Sequence, residues 1–146
     1  LISLLVLSLA HDSNDWKSRT IYQVIIDRFA RNNGDTSNCY DLHKFCGGGF
    51  KGLQNNLDYI QNLGFDAIWI SPVVQNVYQD GNSDNYGYHG YWAQDFYQIC
   101  SEFGGEQQLQ DLIADMHKRN MWVMLDVVAN HVGPIGEQLQ GVGSIN

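Results

Sequence analysis

Three short apolar runs separated by two helix-like stripes constrain the fold of this chain more than any other feature. Residues 21–26, 67–70 and 122–128 read IYQVII, AIWI and WVMLDVV. Between the runs, apolar residues recur at helical spacing, first over 53–63 and then over 109–116. The order is therefore β-α-β-α-β. Apolar strands joined by helical crossovers predict an α/β fold, with strands buried on both faces in a parallel sheet that helices cover.

The charge balance narrows the possible functions. The 146 residues include eight Lys or Arg and sixteen Asp or Glu, which gives a formal net charge of −8. An acidic chain without a basic cluster has no footprint for nucleic acid or for an anionic membrane surface. No apolar run reaches the length that spans a bilayer. We predict a soluble domain, or a piece of one, with neither nucleic acid nor membrane as a partner.

The two ends of the chain differ from its middle. Residues 1–10 read LISLLVLSLA, with small residues near Ala10 where signal peptidase would cleave. We interpret them as the remnant of a secretory signal peptide, which predicts an extracellular protein; a buried helix or strand is the alternative. The tail from Gly133 to Asn146 contains glycines without a clear periodicity and is typical of a loop.

The cysteines agree with secretion. Cys39 and Cys46 lie seven positions apart in a polar, turn-rich stretch, which suits a small-loop disulfide in an oxidising compartment. A zinc site is the weaker alternative, because the spacing is not that of a zinc knuckle and there is no second pair. Cys100 follows an apolar run, and we predict a buried free thiol there.

The long connection from Pro72 to Phe103 is rich in aromatic residues, which predicts an ordered segment. Rings with polar edges suit a ligand such as a sugar, although packing alone could also account for most of them.

Two partial motif matches do not predict a binding site. Residues 47–52 match G-x-G-x-x-G but lack the preceding strand of a dinucleotide site, so we predict instead that these glycines turn the chain into the first helix. Residues 80–84 resemble the start of a calcium loop but lack its later Gly and Glu.

Two polar stretches are candidates for a binding site. One is the sequence YHGYW at 88–92, with Asp95 shortly after it, and the other is DVVANH at 126–131, which begins inside the third apolar run. Asp126 can orient its neighbours by accepting hydrogen bonds. Asn130 offers the hard oxygen that Ca²⁺ prefers, and His131 can donate to a ligand hydroxyl. Taken alone, Asn and His just past a strand could equally well only close a turn.

These stretches resemble a known family when taken together with DRFA at 27–30 and GFDAIWISP at 64–72. From about Trp16 to Gly133 the chain is similar to the secreted α-amylases of glycoside hydrolase family 13, and most similar to the fungal type. The resemblance implies a (β/α)₈ TIM barrel that hydrolyses internal α-1,4 bonds of starch, glycogen or maltooligosaccharide with retention of configuration. It also implies a Ca²⁺ cofactor and a monomeric protein.

The resemblance assigns roles to individual residues. Asn130 resembles the side-chain ligand of the family's structural calcium. His89 and His131 resemble hydrogen-bond donors to the sugar just before the scissile bond. Tyr91 resembles the ring stacked under that sugar, and Trp92 resembles a nearby substrate contact.

The resemblance also covers the loop after the first apolar run. Cys39 and Cys46 resemble the first disulfide of the fungal enzymes, but His43 stands where a substrate-contacting Gln would be expected, so that contact is not assigned.

The resemblance implies that this segment lacks the catalytic groups. Retaining glycosidases need two carboxyl groups about 5–5.5 Å apart. In this family those groups follow strands four and five, with a third carboxylate after strand seven. We therefore predict that residues 11–146 are the amino-terminal part of the barrel domain, truncated after strand three, with no catalytic residue in this segment.

A three-stranded part of a barrel leaves sheet edges unpaired, so we predict that it is inactive and prone to aggregate by itself. Two alternatives to an α-amylase remain open. One is a related α-glucosidase or transglycosylase of the same family, since specificity resides in loops and later strands. The other is a secreted product that binds glucan without cleaving it.

Overall fold

A computed structural model describes residues 11–78 and 86–134. The elements, numbered in chain order, are α1 (Ser13–Trp16), β1 (Ile21–Val24), α2 (Ile26–Phe29), α3 (Phe50–Asn55), α4 (Leu57–Asn62), β2 (Ala67–Ile70), β3 (Val74–Asn76), β4 (Ala93–Ile99), a 3₁₀ turn (Ser101–Phe103), α5 (Gly105–Lys118) and β5 (Trp122–Leu125). Strands β1, β2 and β5 form a parallel sheet in the order β1-β2-β5. The predicted parallel β-α-β-α-β unit is therefore confirmed in this part of the chain.

The central strand β2 has the bounds predicted for it and is the best buried of the three. Ile68 and Ile70 are fully buried in the core that the helices cover. Because side chains alternate along a strand, Trp69 points to the opposite face, in register with Gln23 and Met124. The sheet therefore has one face packed on helices and a second face that is less covered in the described residues.

The two outer strands are shorter and more exposed than predicted. The first apolar run ends as a strand at Val24, and Ile26 begins the short helix α2. Ile21 is 37% exposed, so burial on both faces is wrong for β1, which pairs only with β2 among the described residues. The third run ends as a strand at Leu125, and Val127 is 84% exposed.

The first helical stripe forms two helices instead of one. The break lies at Asn56, whose backbone N–H donates to Leu53 O at 3.0 Å and whose side-chain amide donates to Gly52 O at 2.8 Å. An Asn side chain that bonds to a helix carbonyl competes with the helical pattern. Gly64, with φ +93°, ends the second helix as predicted, but Leu63 is 53% exposed and lies outside the core.

The second stripe forms the continuous helix α5, which buries Leu109, Leu112 and Met116. These side chains and the buried residues of α3 and α4 pack in one core with Phe103 and the free thiol of Cys100, which is buried as predicted. Burial raises the pKa of the Cys100 thiol above its ordinary value. No helix in residues 11–78 and 86–134 is both long enough and apolar enough to cross a membrane.

The long connection after β2 is organised by a hairpin of β3 and β4. Its described parts thus contain paired strands, where the sequence predicted a loop. Asn76, which is fully buried, donates to Val74 O and accepts from the Trp92 backbone N–H, both at 2.8 Å. This contact fixes the start of β4 and the residues just before it.

The glycine run after β1 turns the chain into α3, which bears out the structural interpretation of that motif. Gly47 has φ +85°, and a Cβ on Gly48 would lie 2.2 Å from Asp27 O. Only glycine fits so close to a neighbouring backbone. Three sequence-based interpretations concern residues outside the described ranges. They are the predicted signal-peptide remnant at 1–10, the calcium-loop resemblance dismissed at 80–84, and most of the tail predicted to be a loop (135–146).

Candidate functional site

The carboxyl ends of the three parallel strands bring both polar stretches to one edge of the sheet. Asp126 follows β5, and its N–H donates to Ile70 O at 3.1 Å. Ser71 follows β2, and its hydroxyl oxygen accepts from Ile26 N–H at 3.1 Å. Asp27 lies in the first turn after β1. In parallel α/β folds this edge is where ligands bind.

Tyr91 ties the aromatic loop to the end of β5. Its hydroxyl donates a 2.9 Å hydrogen bond to Asp126 Oδ2. Burial, and then the hydrogen bond and negative charge of Asp126, raise the pKa of the Tyr91 hydroxyl above 10. The YHGYW and DVVANH stretches are therefore in direct contact, with Asp126 accepting a hydrogen bond from Tyr91.

His89 has a defined proton arrangement. Its Nδ1 accepts the backbone N–H of Tyr91 at 3.0 Å, so the neutral ring carries its proton on Nε2. The ring stacks on Tyr91 at a centroid distance of 5.8 Å and packs edge-on against Trp92 at 4.9 Å. Burial, and then the positive charge of Arg28, lower the pKa of His89 below its ordinary 6.5. The imidazole is thus held neutral, with Nε2–H as a donor for a ligand hydroxyl or carbonyl.

His131 borders the same loop but is already bonded within the chain. Its Nε2 lies 3.0 Å from Tyr91 O, and its Nδ1 lies 3.4 Å from Asn130 Nδ2. A carbonyl can only accept, so His131 carries its proton on Nε2 and donates it to Tyr91 O. Both His131 and Asn130 are exposed at the surface. The structure therefore brings His89, Tyr91, Trp92 and His131 together.

Asn130 is the residue that the resemblance assigns as a calcium ligand. Its amide nitrogen faces His131, so its oxygen is the side-chain atom suited to a hard cation. Ca²⁺ takes about six to eight oxygen ligands. In residues 11–78 and 86–134, no three or more His, Cys, Asp or Glu side chains are grouped to hold a metal ion. The described residues therefore provide no cluster of acidic side chains that would accompany Asn130 around a calcium ion.

The acidic groups near this edge are engaged in hydrogen bonds. Asp126 accepts from Tyr91, and Asp95 Oδ1 accepts from the Tyr97 backbone N–H at 2.8 Å. Asp27, which is 2% exposed, accepts from the backbone N–H groups of Cys46 and Gly47. Each carboxylate has a positioning role in the described contacts.

The loop after β1 carries the disulfide. Cys39 and Cys46 are bonded, with Cα atoms 5.6 Å apart, as both their spacing and the resemblance predicted. Beside the loop lies a cavity of 1110 Å³ lined in part by Arg31, Tyr40 and Asn55. His89, Tyr91, Trp92 and His131 do not line this cavity, whereas Asp27 and Arg28 do.

Sequence reasoning gave Asp27 and Arg28 no role beyond a shared motif. In the structure they are an ion pair, with Arg28 Nε 2.8 Å from Asp27 Oδ2, and they connect β1 to the disulfide loop. An acidic residue followed by Arg at the carboxyl end of a buried strand was the available signal. The partners of this pair lie too far along the chain for spacing alone to find.

A helix-covered parallel sheet, with polar and aromatic binding residues gathered at its carboxyl edge, defines a portion of a barrel-type α/β protein. Residues 23–143 match the family model of the alpha amylase catalytic domain. The chain therefore belongs to the alpha-amylase family, and its fold is the first β-α-β-α-β portion of a (β/α)₈ barrel.

Similar proteins agree with this assignment. Alpha-amylase 1 of Schizosaccharomyces pombe is 52% identical over 84% of this chain and 20% of its own length. The structure of an alpha-amylase from Malbranchea cinnamomea superposes with a TM-score of 0.76 at 45% identity, over 82% of this chain and 25% of that one. The alpha-amylase of Geobacillus thermoleovorans, solved with acarbose, gives a TM-score of 0.69 at 42% identity, over 81% and 24% of the two chains. The chain thus spans about a fifth to a quarter of the relatives it matches.

Proposed function

We propose that residues 11–146 are the amino-terminal part of the catalytic barrel of a secreted α-amylase. The longer protein hydrolyses internal α-1,4 bonds of starch and glycogen with retention of configuration. The observation that carries the proposal is the contact between Tyr91 and Asp126 in a chain of this family. It joins the aromatic loop and the end of β5 at the edge where barrel enzymes bind substrate.

The described contacts support specific roles at this surface. His89 Nε2–H donates to a sugar hydroxyl, because Nδ1 is already occupied by the Tyr91 N–H. The Tyr91 ring, held by its hydrogen bond to Asp126, supports the apolar face of the sugar, and Trp92 borders the same subsite. His131 donates to the substrate by exchanging its contact with Tyr91 O for one with a sugar oxygen.

The calcium proposal is limited to one ligand. Asn130 Oδ1 contributes to a Ca²⁺ site whose remaining ligands come from outside the described residues. When bound, the ion would brace the exposed segment after β5, and no chemical step is assigned to it. We also propose that residues 1–10 are part of a signal peptide and that the longer protein is monomeric and extracellular.

The nucleophile and the general acid of the proposed reaction lie outside residues 1–146. This part of the proposal is supported by the short span of the chain against its relatives and by the engagement of Asp27, Asp95 and Asp126 in other hydrogen bonds. The 146-residue chain then contributes substrate positioning but no bond cleavage.

The test is to recover the full reading frame, express the encoded protein, and follow the products formed from starch and from maltose. We expect internal cleavage of starch, little action on maltose, and products released first as the α-anomer, as a retaining mechanism requires. Preferential attack on maltose would identify an α-glucosidase, and transfer to a second sugar would identify a transglycosylase. Glucan binding without hydrolysis would replace the enzyme proposal with that of a binding protein.

A further inference from the structure

Arg28 connects the disulfide loop to the loop that carries His89. We propose that Arg28 is a positioning residue for substrate binding, acting through Tyr88 on the orientation of His89. The inference rests on the proposed function for its kinetic consequence, but its structural consequence can be measured separately. Arg28 itself is a quarter exposed, and its packing contact with the aromatic loop is through Tyr88.

The guanidinium of Arg28 is fixed by three hydrogen bonds. Its Nε donates to the buried Asp27 carboxylate at 2.8 Å, and its Nη2 donates to Leu42 O and to Lys44 O, both at 2.9 Å. Asp27 in turn accepts from the Cys46 N–H. Leu42, Lys44 and Cys46 all belong to the disulfide loop, so this loop sets the plane of the guanidinium.

The same guanidinium supports the aromatic loop. Its central carbon lies 3.5 Å from the centroid of the Tyr88 ring, which is a cation–π contact. Tyr88 packs edge-on against His89 at 5.1 Å. A backbone bond from Tyr86 N–H to His43 O, at 3.0 Å, joins the two loops beside this contact. The position of His89 therefore depends on the Arg28 guanidinium, which stacks on the ring of the neighbouring Tyr88.

Lysine cannot replace this arrangement. An ammonium group keeps the charge and can pair with Asp27, but it lacks the planar fork that reaches two carbonyls while stacking on a ring. The Arg28→Lys variant thus separates charge from geometry. The Tyr88→Phe variant keeps the ring and removes only the hydroxyl, whereas Tyr88→Leu removes the stacking surface.

The kinetic experiment uses the full-length protein and measures KM and kcat on a maltooligosaccharide. We expect Arg28→Lys and Tyr88→Leu to raise KM by about tenfold while kcat changes by less than about twofold, because the lost feature positions substrate and is remote from the reacting bond. Tyr88→Phe should stay within about twofold of the wild type. The control is Arg119→Met, which removes a partly exposed guanidinium that contacts Asp58 just after the carboxyl end of α5.

A second readout does not depend on activity. Nitrogen chemical shifts of labelled histidine report which ring nitrogen carries the proton. We expect His89 to be the Nε2–H form in the wild type, in Tyr88→Phe and in Arg119→Met, and a mixture of tautomers in Arg28→Lys and Tyr88→Leu.

The outcomes separate the two proposals. A wild type without starch hydrolysis refutes the proposed function, and the histidine spectra then decide the role of Arg28. Folded Arg28→Lys and Tyr88→Leu proteins with wild-type KM and an unchanged His89 tautomer would refute the positioning role. If Arg28→Lys does not fold, Tyr88→Leu alone decides the result.

Discussion

The hydroxyl of Tyr91 and the carboxylate of Asp126 lie 2.9 Å apart, although 35 positions separate them in the sequence. The bond links a loop that follows β2 to the end of β5. It also leaves the Tyr91 ring as a half-buried surface with a fixed tilt. The candidate sugar site is therefore held by a contact between two βα connections, and the first prediction concerns this bond.

Replacing Tyr91 by Phe removes the hydroxyl and keeps the ring. Asp126 then loses a hydrogen-bond donor in a partly buried position, which we expect to cost about 1–2 kcal/mol of the free energy of unfolding. Thermal or urea unfolding of the full-length protein measures this change. Tyr97→Phe is the matched control, since Tyr97 is 89% exposed and should stay within about 0.5 kcal/mol of the wild type. Equal stability of both variants would show that the bond contributes nothing.

The pKa of His89 predicts a dependence on acid pH. The folded-state pKa lies below the unfolded value of 6.5, so the native state favours the neutral ring. Its contribution to stability is fully present above pH 6.5 and is lost as the pH falls through the lower folded pKa. Burial is the larger cause of the lowered pKa, and the rings of Tyr88, Tyr91 and Trp92 pack around the imidazole; the positive charge of Arg28 lowers the pKa further.

Protonation of His89 puts a second proton on Nδ1, opposite the Tyr91 N–H. We therefore expect KM for maltooligosaccharide to rise as the pH falls through the folded pKa of His89. An NMR titration of the His89 ring measures that pKa directly. A value at or above 6.5 would contradict the proposed environment of this residue.

The next prediction concerns the contribution of the buried Asp27 carboxylate to the free energy of unfolding. Its buried carboxylate accepts from Cys46 N–H and Gly47 N–H and pairs with Arg28. An Asn has one acceptor oxygen and no charge, so Asp27→Asn leaves the guanidinium without its counter-ion. We expect a loss of about 3–5 kcal/mol in the free energy of unfolding.

The control for this change is Asp58→Asn. The Asp58 side chain is 76% exposed and its ion pair with Arg119 is at the surface, so it should change stability by less than about 1 kcal/mol. Thermal unfolding of the two variants side by side gives the comparison. Similar melting temperatures for both would mean that Asp27 does not anchor the disulfide loop.

The calcium proposal predicts the behaviour of Asn130→Ala. Removal of one oxygen ligand from a site of about six to eight should weaken Ca²⁺ binding and raise the concentration needed for full thermal stability. Melting temperatures measured across a Ca²⁺ titration after chelation provide the data. Asn62→Ala, at the exposed end of α4, serves as the control. A Ca²⁺ dependence that is identical in the two variants would exclude Asn130 as a ligand.

The sequence predicted the elements whose causes are local. Strand β2 lies between Asp66 and the Ser71-Pro72 pair, and α5 carries a regular apolar stripe that ends before Asn120, so both could be recognised from the pattern alone. The ends of β1 and β5 could not. Residues 25 and 26 are apolar, yet the chain turns there, and the turn places Asp27 against the backbone of residues 46–47.

In the candidate site too, the residue types were predictable from the sequence, whereas the contacts between distant segments were not. The aromatic residues of the loop after β2 suited a sugar-like ligand, the residue types at 88–92 and 126–131 indicated a candidate binding site, and the family resemblance supplied individual roles. Neither could indicate that both nitrogens of His131 are engaged by neighbours, because this depends on how two connections meet. Arg28 was missed for a similar reason: its partners, Leu42, Lys44 and Tyr88, are at least fourteen positions away.

The most direct test of the central claim compares starch hydrolysis by the full-length wild type, His89→Ala and His117→Ala. His117 lies exposed in the last turn of α5, away from the strand ends, so it controls for the loss of an imidazole. We predict that His89→Ala lowers kcat/KM by about ten- to a hundredfold, whereas His117→Ala changes it by less than about twofold. A folded His89→Ala protein that hydrolyses starch as efficiently as the wild type would contradict the assignment of this edge of the sheet as the substrate site.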